Sequence, residues 1–415
     1  MALGLVAGAL GALAWVGIRS APLRQGRSEG PPVVGTRLFE NVLAYVRAHG
    51  VDSTPDQELY RLAAAGVIEE LDDPYAALIL PGQRVMSDPE EPAPQGLFLD
   101  RRDGLLVVVA TATGSAAETA GIQGGDILLE LDSIPLDATR LDRARRLLDG
   151  APGTRITARV RRDGRGTPLQ LEVARAEVPQ TPAIEWSTRS GGIGQLKVRR
   201  FPMGVSDSIR AGVAALREAG ARSLVLDLRG AVGGSLADGV AVADLFLDRG
   251  RTLAVSRGRP AAASTSFSDS TASPFDSIPV AVLVDRGTAG AAEVVAGALQ
   301  DNDRAAVLGS ITFGRGVTQS TFALGGGVTL RLTTALWITP SGRQIQRPPT
   351  PADRDSVPRP RLKSKGGRVL LGGGGIVPDR LLLNSGSHDD LLAEAQRILR
   401  KAGTTREVLA LVANR

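Results

Sequence analysis

Apolar positions recur at helical spacing early in the chain. Leu38, Val42, Tyr45 and Val46 predict a helix over 37–50, and Leu59, Leu62, Ala63 and Val67 a second over 55–71. Pro74, in "LDDPY", ends the second, because the residue before a proline is biased away from helical backbone. Over 95–176 the pattern shortens to strand length. "LLVVVA" at 105–110 predicts a buried strand, "SAAETAG" at 115–121 a short helix with a Gly stop, and "GGDILLELDSIPL" at 124–136 a turn and an apolar strand. Residues 139–150 read as an amphipathic helix and 154–175 as a hairpin around a Gly-rich turn. From 183 onward, apolar strands such as "SLVLDLRG", "VAVLVDR" and "AAVLG" alternate with helices over 204–219, "LADGVAVADLFL" and "AAEVVAGALQD". That alternation predicts a layered α/β core.

The expected organisation is an α/β multidomain chain. Residues 1–18 form a signal peptide or membrane anchor, 19–36 a Pro/Gly/Arg-rich linker, and 37–86 an N-terminal helical segment. A small β-rich domain occupies 95–176, the α/β domain 183–385, and a helical tail 386–415. Residues 347–368, rich in Pro, Arg and Lys, read as an excursion. The uncharged run 2–18 would span about 26 Å as a helix, marginal for a bilayer. It points to the cell envelope, periplasmic or secreted. The flanking charges argue the other way: Arg19, Arg24 and Arg27 follow the run and no basic residue precedes it.

Composition removes several chemistries. The chain of 415 residues has no Cys, which excludes disulfides, thiolate metal sites and a Cys nucleophile. With only His49 and His388, neither a His-rich metal site nor a Ser-His-Asp triad is expected, and no cofactor is called for. The net charge of +5 is carried by 45 Arg and four Lys, without a compact basic run. Aromatics at 3% are too few for base-stacking platforms, so nucleic acid is not an expected partner.

The 95–176 block resembles a PDZ domain through "GLFL" at 96–99, "GSAAETAGIQGGDILLELDSIPL" at 114–136, and the closing helix and hairpin. That resemblance implies strand addition by a partner's chain end, its carboxylate held by backbone amides of the loop Gln95, Gly96, Leu97 and Phe98. The α/β block resembles the catalytic domain of the carboxyl-terminal processing, or tail-specific, proteases of peptidase family S41. The supporting motifs are "ELDDPYAALILPGQ" (70–83), "LVLDLRGAVGG" (224–234), "AEVVAGALQDNDRAAVLG" (292–309), "TFGRGVTQ" (312–319), "LTTALWITPSGRQIQ" (332–346) and "GIVPD" (375–379), six in order.

The family resemblance implies hydrolysis by a serine and a neutral lysine. Alignment on Glu293 places the family's serine turn on Thr288–Glu293 and its nucleophile on Gly290. The lysine position, 25 residues later, holds Arg315, and the supporting glutamine is Gln319. Gly233 or Gly234, with the Ala291 amide, would fill the oxyanion role. Arginine stays protonated near neutrality and cannot serve as the base. The leading expectation is therefore an inactive pseudoprotease that binds unfolded or C-terminal peptide segments. The alternative is an active serine-type endopeptidase using another nucleophile, Thr288 being the candidate, with Lys197, Lys363 or Lys365 brought in by the fold. Arg315 is expected either to hold a substrate carboxylate or to pair internally with Glu293 or Asp301.

Overall fold

A computed structural model describes residues 33–71, 73–82, 92–102, 104–136, 141–162, 165–269, 271–347, 359–382 and 388–413. The apolar run over 1–18 and residues 348–358 of the excursion lie outside them. Helix α1 (Val33–His49) and α2 (Asp56–Glu69) open the described chain. One compact unit ends at Gly66, within α2, and a second begins at Val67. No helix among the described residues is long and apolar enough to cross a membrane.

In the second unit, β1 (Ala77–Ile79) joins a sheet described below. The β-rich block then forms one mixed-length sheet from β2 (Leu97–Arg102), β3 (Leu105–Thr111), β4 (Ile127–Leu131), β5 (Ile134–Pro135), β6 (Arg155–Arg161) and β7 (Leu169–Ala174). Its order is β2-β3-β4-β6-β7, with β5 on β4, and every pairing is antiparallel. Helices α3 (Ala116–Thr119) and α4 (Leu141–Leu148) accompany it. The burial alternates along β6, and Ile156, Ala158 and Val160 join Leu97, Leu106, Leu128 and Leu131 in a closed apolar core. Ser115 caps α3 through its hydroxyl, as its place before "AAET" dictates.

The α/β block is built on a second sheet. Its strands are β8 (Ile184–Arg189), β9 (Ile193–Val198), β10 (Ser223–Asp227), β13 (Val280–Val284), β14 (Ala306–Gly309) and β19 (Arg380–Leu381), in the order β19-β14-β13-β10-β9-β8. All neighbours are parallel except the edge hairpin β8–β9. Strands β10, β13 and β14 are buried at every residue, which is why they read as unbroken apolar runs rather than alternations. Helices α5 (Val205–Glu218), α6 (Leu236–Asp244) and α7 (Ala291–Asp301) cover one face with a single large apolar cluster. The two C-terminal helices, His388–Lys401 and Thr405–Ala413, cover the other through Leu391, Ala395, Ile398, Val408 and Val412.

One layer differs from expectation. The segment "GRGVTQ", read as a loop, runs into β15 (Val317–Gly325), which pairs with β16 (Val328–Ile338). Together with β1, β11 (Thr252–Gly258) and β12 (Thr265–Ser268) they make a separate antiparallel sheet. Strand β15 is only partly buried along its length, so it lacks the apolar run or clean alternation that identifies the others. A short hairpin of β17 (Arg361–Lys363) and β18 (Val369–Leu371) completes the described strands.

Candidate active site

The loop after β13 turns into α7 at Gly290, whose backbone (φ 69°, ψ −126°) lies where side-chain-bearing residues are strained. The loop after β10 runs beside it. The Ala289 amide donates to the Ala231 carbonyl (2.9 Å) and the Ala291 amide to the Gly233 carbonyl (3.2 Å). A Cβ at 290 would stand 3.1 Å from that Gly233 oxygen. Gly234 is needed for close approach, since a Cβ there would meet Phe201 Cβ at 2.4 Å and Ala291 Cβ at 2.8 Å. The backbone expected to form an oxyanion hole is thus assembled, but the Ala291 amide is engaged with Gly233 and is not presented to the cleft.

Glu293, on the first turn of α7, joins the two halves of the site. Its Oε2 accepts the amides of Gly290 (3.2 Å) and Arg315 (2.8 Å), so both positions hang on one oxygen. Its Oε1 accepts the Gly314 amide (2.7 Å) and the Thr312 hydroxyl (2.5 Å). Burial pushes the Glu293 carboxyl up, and these four donors oppose that by favouring the ionised form. Gly290 and Arg315 are brought together as their spacing implies.

The Arg315 side chain goes elsewhere than expected. Asp301 is taken by Arg343, and Glu293 receives only the Arg315 backbone. The guanidinium instead reaches the β-rich domain, where its Nη2 lies 2.9 Å from Oδ1 of Asp100 on β2. Its centre sits 5.2 Å from the Tyr75 ring centroid, within cation–π range, and the Tyr75 hydroxyl donates to Asp100 Oδ2 (3.4 Å). Burial alone would lower the Arg315 pKa. The Asp100 carboxylate, with Tyr75 beside it, outweighs burial and leaves it above its ordinary value. Burial and then Asp100 push the Tyr75 phenol up. Arg315 is therefore a fixed cation in a filled site, not a carboxylate-binding group open to the cleft.

The same boundary is sealed by apolar groups. Phe98, Val107, Val109 and Ala110 of the β-rich domain pack with Val232, Ala289 and Phe313. Arg102 stacks over Phe313 at 3.9 Å and donates to its carbonyl at 2.9 Å.

Thr288 is fully buried and occupied. Its hydroxyl donates to the Leu228 carbonyl (2.8 Å), lies 3.2 Å from Asp285 Oδ1, and accepts the Asp285 amide (2.9 Å). Lys197 is at the carboxyl end of β9, and Lys363 and Lys365 belong to the β17–β18 hairpin region. Gln319 is half-buried on β15, opposite Thr333.

In the loop expected to hold a carboxylate, Gln95 has a left-handed backbone (φ 63°) and the Gly96 amide donates to the Ala93 carbonyl (3.1 Å). Ala93 in turn donates to the Leu97 carbonyl (2.6 Å), forming an antiparallel bridge at the start of β2. Leu97, Phe98, Leu99 and Asp100 are all buried. Beta-2 has a free edge in the sheet order, yet its first half is covered in this conformation.

Sequence reasoning missed Tyr75 and Asp100 as parts of the site. The "LDDPY" segment signals a helix end in the sequence, but Asp73 also accepts the Thr333 amide and hydroxyl (both 2.9 Å) and fixes that segment to β16. The open space nearby is a cleft of about 640 Å³ between the β-rich domain and the strand ends, lined by neither Gly290 nor Arg315.

Comparison with known proteins agrees with this architecture. The family model for peptidase family S41 matches residues 192–355, and that for the PDZ domain residues 107–162. The chain is 31% identical over 314 residues to a carboxy-terminal-processing protease of Bartonella bacilliformis, covering 74% of this chain and 72% of that one. It is 27% identical over 305 residues to the carboxy-terminal processing protease CtpA of Bacillus subtilis, covering 73% of this chain and 65% of that one. The solved photosystem II D1 C-terminal processing protease superposes with a TM-score of 0.67 at 24% identity, covering 88% of this chain and 91% of that one, a likeness of fold.

Proposed function

Because the chain belongs to the carboxy-terminal-processing proteases of peptidase family S41, we propose that it is a pseudoprotease. In this reading it binds unfolded or C-terminal peptide segments in the cell envelope, with residues 1–18 as signal peptide or anchor. The observation that carries the reading is the state of position 315. A general base must lose its proton near neutrality and reach the nucleophile. Arg315 does neither: it is permanently charged, and its guanidinium is held 2.9 Å from Asp100. At position 290 the chain offers only backbone.

The alternative, an active serine-type endopeptidase with a replacement nucleophile, has less support. Thr288 is buried with its hydroxyl committed to Leu228 and Asp285. The test is incubation of the purified full chain with an unfolded protein ending in an apolar C-terminus. No cleavage is expected. Turnover that persists after contaminating proteases are removed, and that is lost on Thr288→Val, would overturn the proposal.

A further inference from the structure

Ligands of open parallel sheets collect outside the carboxyl ends of the strands. In this chain those ends are β9 at Val198, β10 at Asp227, β13 at Val284 and β14 at Gly309. The 640 Å³ cleft lies there, floored by residues following each strand and walled on the other side by Phe98 and the Gly121–Asp126 turn. That volume falls within the usual range for ligand sites, about 300–1,000 Å³.

The cleft is basic, and its charges are unevenly spent. Each of its acids already accepts a hydrogen bond, Asp126 fully buried and Glu118 at the exposed rim. Glu118 accepts the Gly114 amide (2.6 Å), Asp285 the Gly230 and Gly287 amides (2.9 Å each), and Asp126 forms a two-pronged pair with Arg162 (2.7 Å for each bond). Arg229 is neutralised by Asp227, and Arg199 by Glu185. Lys197 and Arg200 make no ion pair with a carboxylate among the described residues. Arg200 donates only to the neutral Thr181 carbonyl (2.7 Å). Lys197 stands in register between Glu185 on β8 and Asp227 on β10, so it would have two candidate partners. Each of those carboxylates is already paired with an arginine, although Arg199 and, more weakly, the Lys197 charge together hold the Glu185 carboxyl down.

We propose that this cleft takes an acidic segment of a bound polypeptide, with Lys197 and Arg200 binding its carboxylates. The proposal rests on the peptide-binding reading above and specifies the partner's chemistry. Charge-assisted bonds to ammonium and guanidinium groups are the stronger class of hydrogen bond, and walls of low dielectric focus the field. Phe98 is the one aromatic side chain in the lining, so stacked nucleic-acid bases have no platform there. A Ser–Lys pair is not available in the same space. Ser310 follows β14, three strands from Lys197, a separation of roughly 14 Å.

The experiment measures anisotropy of two labelled peptides with the full chain. Both have the same length and apolar C-terminus; one carries Asp and Glu upstream, the other Asn and Gln. The acidic peptide should bind about tenfold tighter at low salt, and the difference should shrink in high salt. Lys197→Gln with Arg200→Gln should abolish the preference without weakening the neutral peptide, and Lys197→Arg should keep it. If the double variant does not fold, Lys197→Gln alone carries the test, with a partial loss expected. Equal binding of both peptides, or a preference that survives the substitutions, overturns the acidic-segment proposal and leaves peptide binding standing. Binding of neither peptide overturns both. Inorganic polyphosphate that displaces the acidic peptide at equal charge concentration would make this a general anion site and overturn the peptide assignment.

Discussion

Arg315 and Asp100 belong to different domains, and their side chains meet at 2.9 Å with Tyr75 against both. Arg315 is thereby a fastener between the peptidase-like core and the PDZ-like domain. Its exchange for lysine would restore an amine but also leave that amine beside a carboxylate.

Breaking the fastener should be costly. Asp100→Ala leaves a buried guanidinium uncompensated and is expected to lower stability by about 3 kcal/mol. Asp100→Leu combined with Arg315→Met should cost much less than either change alone, because no unpaired charge remains. Urea unfolding of the four proteins forms a double-mutant cycle that checks this. Additive effects would mean the pair is not coupled.

Restoring hydrolysis should require three changes. Gly290→Ser alone places a Cβ 3.1 Å from the Gly233 oxygen at a positive φ, and is expected to cost about 1–3 kcal/mol with no activity. Adding Arg315→Lys should still give no turnover near neutral pH, since Asp100 favours the protonated amine. Adding Asp100→Asn as well should release measurable peptide hydrolysis. Activity in the double variant would show that Asp100 does not control the amine.

A carboxylate pair remote from the cleft predicts pH dependence. Burial, followed by the neighbouring Asp269, raises Asp244 to about 6. The folded protein then keeps a proton that the unfolded chain releases near its ordinary value. The associated stability is present below about pH 4 and is lost as pH rises towards 6. Asp244→Asn should leave Tm unchanged at pH 4 and raise it at pH 7.5. Identical melting curves at both pH values would contradict this.

Peptide strand addition at β2 should compete with Ala93. Its amide occupies the Leu97 carbonyl, and its φ of −63° suits proline. Ala93→Pro is expected to cost about 1 kcal/mol and to tighten binding of an apolar-ended peptide, read by calorimetry. Unchanged affinity would place the peptide's main chain elsewhere.

The two domains were legible because their strands are either unbroken apolar runs or alternations closed by glycine. The antiparallel sheet was not. Strand β15 is partly exposed throughout, and β1 is three residues long, so neither carries a period. Local motifs at a fixed offset single out Gly290 and Arg315, whose amides share one Glu293 oxygen. Asp100 and Tyr75 carry no such signal, because a polar residue in a strand and a tyrosine after a proline say nothing about a partner far along the chain. The covered start of β2 was hidden for a different reason: the residue that covers it, Ala93, lies in a Pro-rich stretch that reads as a linker.

The backbone at Gly290 also sets what any side chain there must displace. A serine would be strained in this mirror-image peptide geometry, which a glycine adopts freely, and the Gly233 oxygen lies 3.1 Å from where a side chain would begin. Room for a hydroxyl at this turn is thus governed by the neighbouring loop, which would have to give by a few tenths of an ångström to receive it.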